Sequence, residues 1–261
     1  MTHNSYEMEG QDGRVSAVLG QLPAEIAPSQ LTALDQFHAG GAESVERLLS
    51  LGGVGPGQIV VDLGSGLGGP ARLAATLGAK VIGVDQTAAF VALANELTRR
   101  CGLADRASFQ LGDMTAPAIP SASADRVLLI HAQMNVVDKP ALMRTIARLL
   151  RPGGALLAWE ICAAGEADVT WPVPWSLDGT DSHLARQAEL RAAIEVANLR
   201  VTAWEDRTAW VQQWFQRAFT APAPSGPSLF SVLDRGLERA QNFARAVKAN
   251  QLSLVEVIAH A

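Results

Sequence analysis

Residues 59–85 read Ile-Val-Val-Asp62-Leu-Gly64-Ser65-Gly66-Leu-Gly68-Gly69 and run on to Val-Ile-Gly-Val-Asp85. An apolar strand, a glycine-rich turn, a helix and a second strand ending in a carboxylate make half of a nucleotide-binding fold. Such a turn needs glycine where the chain takes positive φ or lets a ligand approach its backbone. A carboxylate about 20 residues further on suits a ribose diol. A nucleoside cofactor is the first expectation.

The glycines alone leave two cofactors open. Gly64, Gly66 and Gly69 satisfy the dinucleotide pattern G-x-G-x-x-G, with Asp85 at a fitting distance. That reading is a nicotinamide-dependent oxidoreductase. Asp62 weighs against it, because a carboxylate beside a pyrophosphate repels it but accepts hydrogen bonds from a ligand's ammonium. Nor is there a Tyr-x-x-x-Lys pair, since the one tyrosine is Tyr6.

Asp62-Leu-Gly64-Ser65-Gly66-Leu-Gly68 resembles the first motif of the class I S-adenosylmethionine-dependent methyltransferases. Gln110-Leu-Gly-Asp113-Met114, Asp125-Arg-Val-Leu-Leu-Ile130 and Leu150-Arg-Pro152-Gly153-Gly154 follow in the order that family expects. The resemblance implies S-adenosylmethionine as cofactor and S-adenosylhomocysteine as product. Asp62, Gly64, Ser65, Gly66 and Gly68 would then cradle the methionine part, Asp85 with Gln86 the ribose, and Asp113 with Met114 the adenine. Read without the family, Asp85 and Asp113 are helix-cap or turn residues. A protein that binds the cofactor without catalysis would also carry this loop, and stays a third reading.

In an open α/β sheet the residues just after the strands converge on the ligand. After the fourth strand comes His131-Ala-Gln133-Met134-Asn135, a polar cluster. His131 is the leading candidate to touch cofactor and methyl acceptor, since an imidazole takes a proton near neutrality; its plain reading is a backbone hydrogen bond or a cap. Glu160, ending the fifth strand, is the second catalytic candidate, as a base or counter-charge, against a solvated edge residue. Gln36 and His38, before Gly40-Gly41, together with Gln133, Asn135 and Trp175, resemble a subgroup near the sarcosine and dimethylglycine N-methyltransferases and the terpene-diphosphate C-methyltransferases. There the early segment folds over the cofactor and helps form the acceptor cavity. Trp171 and Trp175, set among prolines, are candidates to wall the acceptor, through ring faces if it is cationic.

These residues need a scaffold. Apolar positions at helical spacing over 12–34, around Pro23 and Pro28, predict N-terminal helices outside the sheet. Helices are expected at 42–51, 68–78, 87–101 and 138–150, and strands at 58–63, 80–84, 107–111, 125–130 and 154–161. That alternation predicts a Rossmann-like parallel sheet covered on both faces. A helix at 183–197, a strand at 199–206, helices at 208–219 and 228–249 and a strand at 252–258 complete it. The family resemblance implies seven strands with the last antiparallel. The expected organisation is one domain: a helical cap at 1–41, a cofactor-binding core at 42–206, a helical lid insertion at 207–250 and a final strand at 251–261.

With 261 residues, 48% of them hydrophobic, the chain can bury one sizeable α/β core. A formal charge of −5 and no Lys/Arg run argue against nucleic acid. No apolar run of about 18 residues or N-terminal signal pattern is present, so no membrane partner is expected and a cytoplasmic location follows by default. Cys101 and Cys162 lack metal-ligand spacing and read as reduced thiols, so no metal is expected. The expected partner is a small-molecule acceptor, and the helices at 12–30 and 208–249 are where a homodimer could form.

Overall fold

The computed structural model describes residues 11–165, 169–222, 226–228 and 232–261. The polar stretch at residues 1–10 and part of the proline-rich connector at 221–227 lie outside them. Seven strands form one sheet in the order β3-β2-β1-β4-β5-β7-β6. They are β1 Ile59–Leu63, β2 Lys80–Asp85, β3 Ala107–Leu111, β4 Ala124–Ile130, β5 Leu150–Ala163, β6 Arg200–Asp206 and β7 Leu252–His260. The first five pair in parallel, and β7 runs antiparallel to both neighbours.

Helices α1 Gln11–Gln21, α2 Thr32–Asp35, α3 Gly41–Leu51, α4 Gly69–Thr76, α5 Ala88–Arg100, α6 Lys139–Leu149, α7 Gln187–Val196, α8 Thr208–Thr220 and α9 Gly236–Lys248 flank the sheet. Both sheet faces are buried, as parallel strands require. On one, Leu157, Trp159 and Ile161 of β5 pack with α3, α4, α8 and α9 through Leu48, Ala71, Phe215 and Phe243. On the other, Leu156, Ala158 and Cys162 pack with α6 and α7 through Leu142, Ile146 and Ile194. The period-two alternation of β5 divides its side chains between the two layers.

The helices expected over 12–34 form as α1, which stops before Pro23, a 3-10 turn at Pro28–Gln30 and the single turn of α2; other boundaries differ from the sequence expectation. Proline supplies no amide for a helix interior, which breaks the pattern. Of the helix expected at 228–249, residues 229–231 lie outside the described residues, Val232 is helical, and α9 begins at Gly236 after a break in which Arg235 takes a left-handed conformation at φ 49°. The fifth strand begins at Leu150, which pairs with Ala124 before the register shifts around the Pro152–Gly154 turn.

The N-terminal segment is clipped to the core by one buried ion pair. Arg72 Nη2 of α4 lies 2.8 Å from Asp35 Oδ2, both side chains being sealed from solvent. The same guanidinium donates to Thr98 Oγ1 at 2.9 Å and to the Leu67 carbonyl. A Cβ on Gly69 would collide with the Asp35 carbonyl, so α4 starts with glycine where α2 crosses it.

Candidate active site

The carboxyl ends of β1 to β4 open into a cavity of about 370 Å³. It falls within the range of about 300–1,000 Å³ usual for small-molecule sites. Sheet order distributes its wall: Asp113 and Met114 follow β3, Asp85 ends β2, Asp62 lies in β1, and His131 follows β4.

The glycine loop is shaped by what surrounds it. Gly64 stands at φ +76°, its N–H bonded to the Val84 carbonyl, and a Cβ there would come within 2.8 Å of Ala132 Cβ. Gly66 at φ +50° donates its N–H to Asp85 Oδ2 at 2.8 Å, while Thr87 N–H reaches Asp85 Oδ1 at 2.9 Å. Burial raises the Asp85 carboxyl, and those two donors oppose the rise. Each carboxylate oxygen has a second lone pair, so the group retains capacity for two ligand hydroxyls.

Asp62 is buried with no hydrogen-bond partner at Oδ2 among the described residues, and Ser65 Oγ beside it is equally unpartnered. Both line the cavity. Burial first and then Asp85 raise the Asp62 carboxyl to about 7. Buried polar atoms are nearly always satisfied, so two orphans, one near the end of β1 and one on the glycine turn, mark where a ligand's polar groups belong. An ammonium next to Asp62 would restore its ionisation. Asp113 Oδ1 accepts from Thr115 N–H and Oγ1, both at 2.7 Å, which fixes its carboxylate on the wall.

The opposite end is aromatic and neutral. His131 takes φ 47°, and its N–H bonds the Trp159 carbonyl at 2.8 Å. Its ring stacks on Trp159 and meets His38 and Phe243 edge-on, with centroids 5.9 Å away in both cases. Nε2 has no partner among the described residues. Burial, and then His38, hold the imidazole well below its ordinary value, so it is neutral at pH 7. His38 is lowered to about 4, also by burial. Gln36 donates to Asp35 Oδ1 at 2.9 Å, which turns its Oε1 to His38 Nε2, also at 2.9 Å. The carboxylate thus orients the amide, and the amide puts the His38 proton on Nε2.

Of the residues singled out in the sequence, Asp62, Gly64, Ser65, Gly66, Asp85, Gln86, Asp113, Met114, His131, His38 and Asn135 line the cavity. Gly68 caps α4 behind it at φ +78°, and Gln36 sits behind His38. Four others are not brought to the wall, which corrects their expected placement. Glu160 is fully buried beneath the turn after β4, where Oε1 accepts the N–H groups of Ala132 and Gln133 at 3.1 and 3.2 Å. Burial pushes its carboxyl up to about 8. Gln133 turns inward to donate to the Ile161 carbonyl. Trp175 is buried against Phe243 and donates to Ser182 Oγ at 2.9 Å, and Trp171 packs over Gly179. Phe37 and Pro174, within segments the sequence singled out, line the cavity as well, and sequence reasoning missed Phe90 and Val137, which also line it. Among the described residues, no three His, Cys, Asp or Glu side chains converge as a metal site.

Residues 61–158 match the family model described as "Methyltransferase domain". Methyltransferase GfsG of Streptomyces halstedii is 34% identical over 138 residues, 52% of this chain and 50% of its own. Phosphoethanolamine N-methyltransferase 1 of Arabidopsis thaliana is 32% identical over 124 residues, 47% of this chain and 25% of its own. The chain thus spans half or less of the length of these curated relatives. A geranyl diphosphate methyltransferase solved with GPP and sinefungin superposes with a TM-score of 0.72 at 20% identity, covering 97% of this chain and 99% of that one. A sarcosine dimethylglycine methyltransferase structure from Galdieria sulphuraria superposes with a TM-score of 0.67 at 16% identity, covering 97% and 98%. The sheet order and the superpositions identify the class: an α/β Rossmann-like fold of the kind found in methyltransferases. Residues 61–158 are similar in sequence to a methyltransferase domain.

Proposed function

We propose that this protein binds S-adenosylmethionine and transfers its methyl group to a small-molecule acceptor at nitrogen, carbon or oxygen. The observation that carries the reading is the pair of unpartnered buried oxygens, Asp62 Oδ2 and Ser65 Oγ, on the cavity wall beside the glycine loop. A pyrophosphate would bring negative charge to that carboxyl, whereas an amino-acid ammonium complements it. When bound, the sulfonium supplies an electrophilic methyl. The chain's own residues do the rest. Asp62 and Ser65 hold the amino-acid end, Asp85 with Gln86 holds the ribose, and Asp113 with Met114 borders the base. His131, His38 and Asn135 face the acceptor, with Gln36 fixing the His38 tautomer. A neutral imidazole can orient an acceptor and take its proton. The described part of the N-terminal cap, through Phe37 and His38, and α9, through Phe243, shield that end from water. The same reading includes a cytoplasmic protein, with a homodimer through the outer helices. No helix among the described residues is long and apolar enough to cross a membrane.

Calorimetry with S-adenosylmethionine, S-adenosylhomocysteine and NADH tests this. Micromolar binding of the first two, weakened at least tenfold by Asp85→Ala, is the expected result. Binding of NADH alone overturns it in favour of the oxidoreductase. Cofactor binding with no S-adenosylhomocysteine formed from any acceptor supports the non-catalytic reading.

A further inference from the structure

We propose that the acceptor carries no phosphate or other anionic group, and enters as an uncharged molecule presenting a hydroxyl to the His131 imidazole. The proposal rests on the cofactor reading above and adds the acceptor's chemical class.

The cavity has acids in its wall and no fixed cation. Asp35, Asp62, Asp85, Asp113 and Asp138 line it, and no lysine or arginine does. The stretches outside the described residues contain no lysine or arginine either, so none can come from them. Cations in the bordering elements are engaged in the fold. Arg72 is paired with Asp35, and the Lys139 amine donates to the carbonyls of Val136 and His183. Arg239, fully buried in α9, donates through Nε to the Val173 carbonyl at 3.0 Å. Binding sites for phosphate use charge-assisted hydrogen bonds from arginine or lysine, or a helix N-terminus. The N-terminus of α6, at the wall, is already capped by a carboxylate, Asp138 Oδ1 accepting the Ala141 N–H at 2.8 Å. An anion here would give up its hydration without a fixed counter-charge, at a cost that no neutral hydrogen bond offsets.

The acceptor end offers the opposite chemistry. Phe37 and Pro174 line the wall, with Phe243, Trp159 and Trp175 layered behind the His131 ring. His131 and His38 are both neutral at pH 7: burial lowers each, and the neighbouring His38 lowers His131 further. A hydroxyl both donates and accepts, so it satisfies an unpartnered imidazole nitrogen in either tautomer. An anion satisfies only the protonated one. The two relatives whose names include a phosphorylated compound therefore differ from this chain in the group their sites accommodate.

The full chain is first titrated with S-adenosylhomocysteine, and the loaded protein then with geraniol, geranyl diphosphate with and without Mg²⁺, and inorganic diphosphate. The expected result is no binding of either diphosphate up to about 1 mM, near the −4.1 kcal/mol limit of weak association. Geraniol should bind at least tenfold more tightly than its diphosphate. Val137→Arg places a guanidinium on the exposed rim of the cavity and should bring geranyl diphosphate into the measurable range, at least tenfold above the parent. Binding of either diphosphate to the parent below 1 mM, with or without Mg²⁺, overturns the proposal. So does a Val137→Arg variant that folds, keeps its S-adenosylhomocysteine affinity and gains none for the diphosphate, because charge would then not be the barrier. Failure to bind S-adenosylhomocysteine is a separate result and overturns the cofactor reading instead.

Discussion

The Arg72 guanidinium and the Asp35 carboxylate meet at 2.8 Å with both side chains sealed from solvent. One belongs to α4 beneath the glycine loop and the other to the segment laid across it, so a single pair ties the cover of the site to its base. Breaking a buried pair from one side leaves an uncompensated charge, at about 3–5 kcal/mol. Arg72→Met should destabilise the protein by that amount in urea unfolding. Arg72→Met with Asp35→Leu should recover part of the loss. A double variant no better than the single would show that the pair's hydrogen bonds to Thr98 and Gln36, rather than the stranded charge, set the cost.

Asp62 makes stability depend on pH in a stated direction. With its carboxyl at about 7 in the fold against 3.8 ordinarily, the folded chain holds a proton that the unfolded chain has lost between those values. The contribution is greatest below about pH 4, falls as pH rises through the window, and levels off above about 7. Asp62→Asn should flatten that part of the stability profile. An ammonium bound beside Asp62 would also expel the proton. S-adenosylhomocysteine binding at pH 6 should therefore release about one proton more in the parent than in Asp62→Asn, read from the buffer dependence of the calorimetric enthalpy.

Glu160 is predicted to hold structure and not to react. Its carboxyl, raised to about 8, is protonated at neutral pH, and Gln reproduces its shape and its acceptor for the Ala132 and Gln133 amides. Glu160→Gln should melt within a few degrees of the parent and keep its turnover. Glu160→Ala orphans two buried N–H groups, each costing about 1–3 kcal/mol, and should melt much lower. A Gln variant that folds but loses turnover would return Glu160 to the chemistry.

Gly64→Ala combines a left-handed backbone with a Cβ 2.8 Å from that of Ala132. The backbone alone costs about 1–2 kcal/mol, and the clash presses the loop toward the cofactor side. Cofactor affinity should fall more than stability does, by at least tenfold. An affinity loss with no change in melting temperature would locate the whole effect in the cavity.

The strands, their order of appearance and the glycine loop were legible in the sequence, because β-branched runs and glycine spacing are local signals. Asp62, Asp85, Asp113 and His131 could be placed on one cavity for the same reason: each follows or ends a strand. Glu160 lies inside β5, three residues before its end, and falls on the α6–α7 side with Ala158 and Cys162. That alternation was present in the sequence and would have predicted its distance from the wall. Trp171 and Trp175 were harder to place, since the path of an irregular connector is set by packing on α9, which no local pattern encodes. The break before α9 coincides with the left-handed conformation of Arg235, an unusual choice for a non-glycine residue that composition does not announce.

β7 follows β6 in the chain but sits between β5 and β6 in the sheet. During synthesis the ribosome releases β5 and β6 well before the strand that must separate them, so β5 waits with an open edge of unpaired N–H and C=O groups. Exposed edges invite pairing with other chains. β7 touches nothing in the cavity, yet it covers the edge that β5 would otherwise expose.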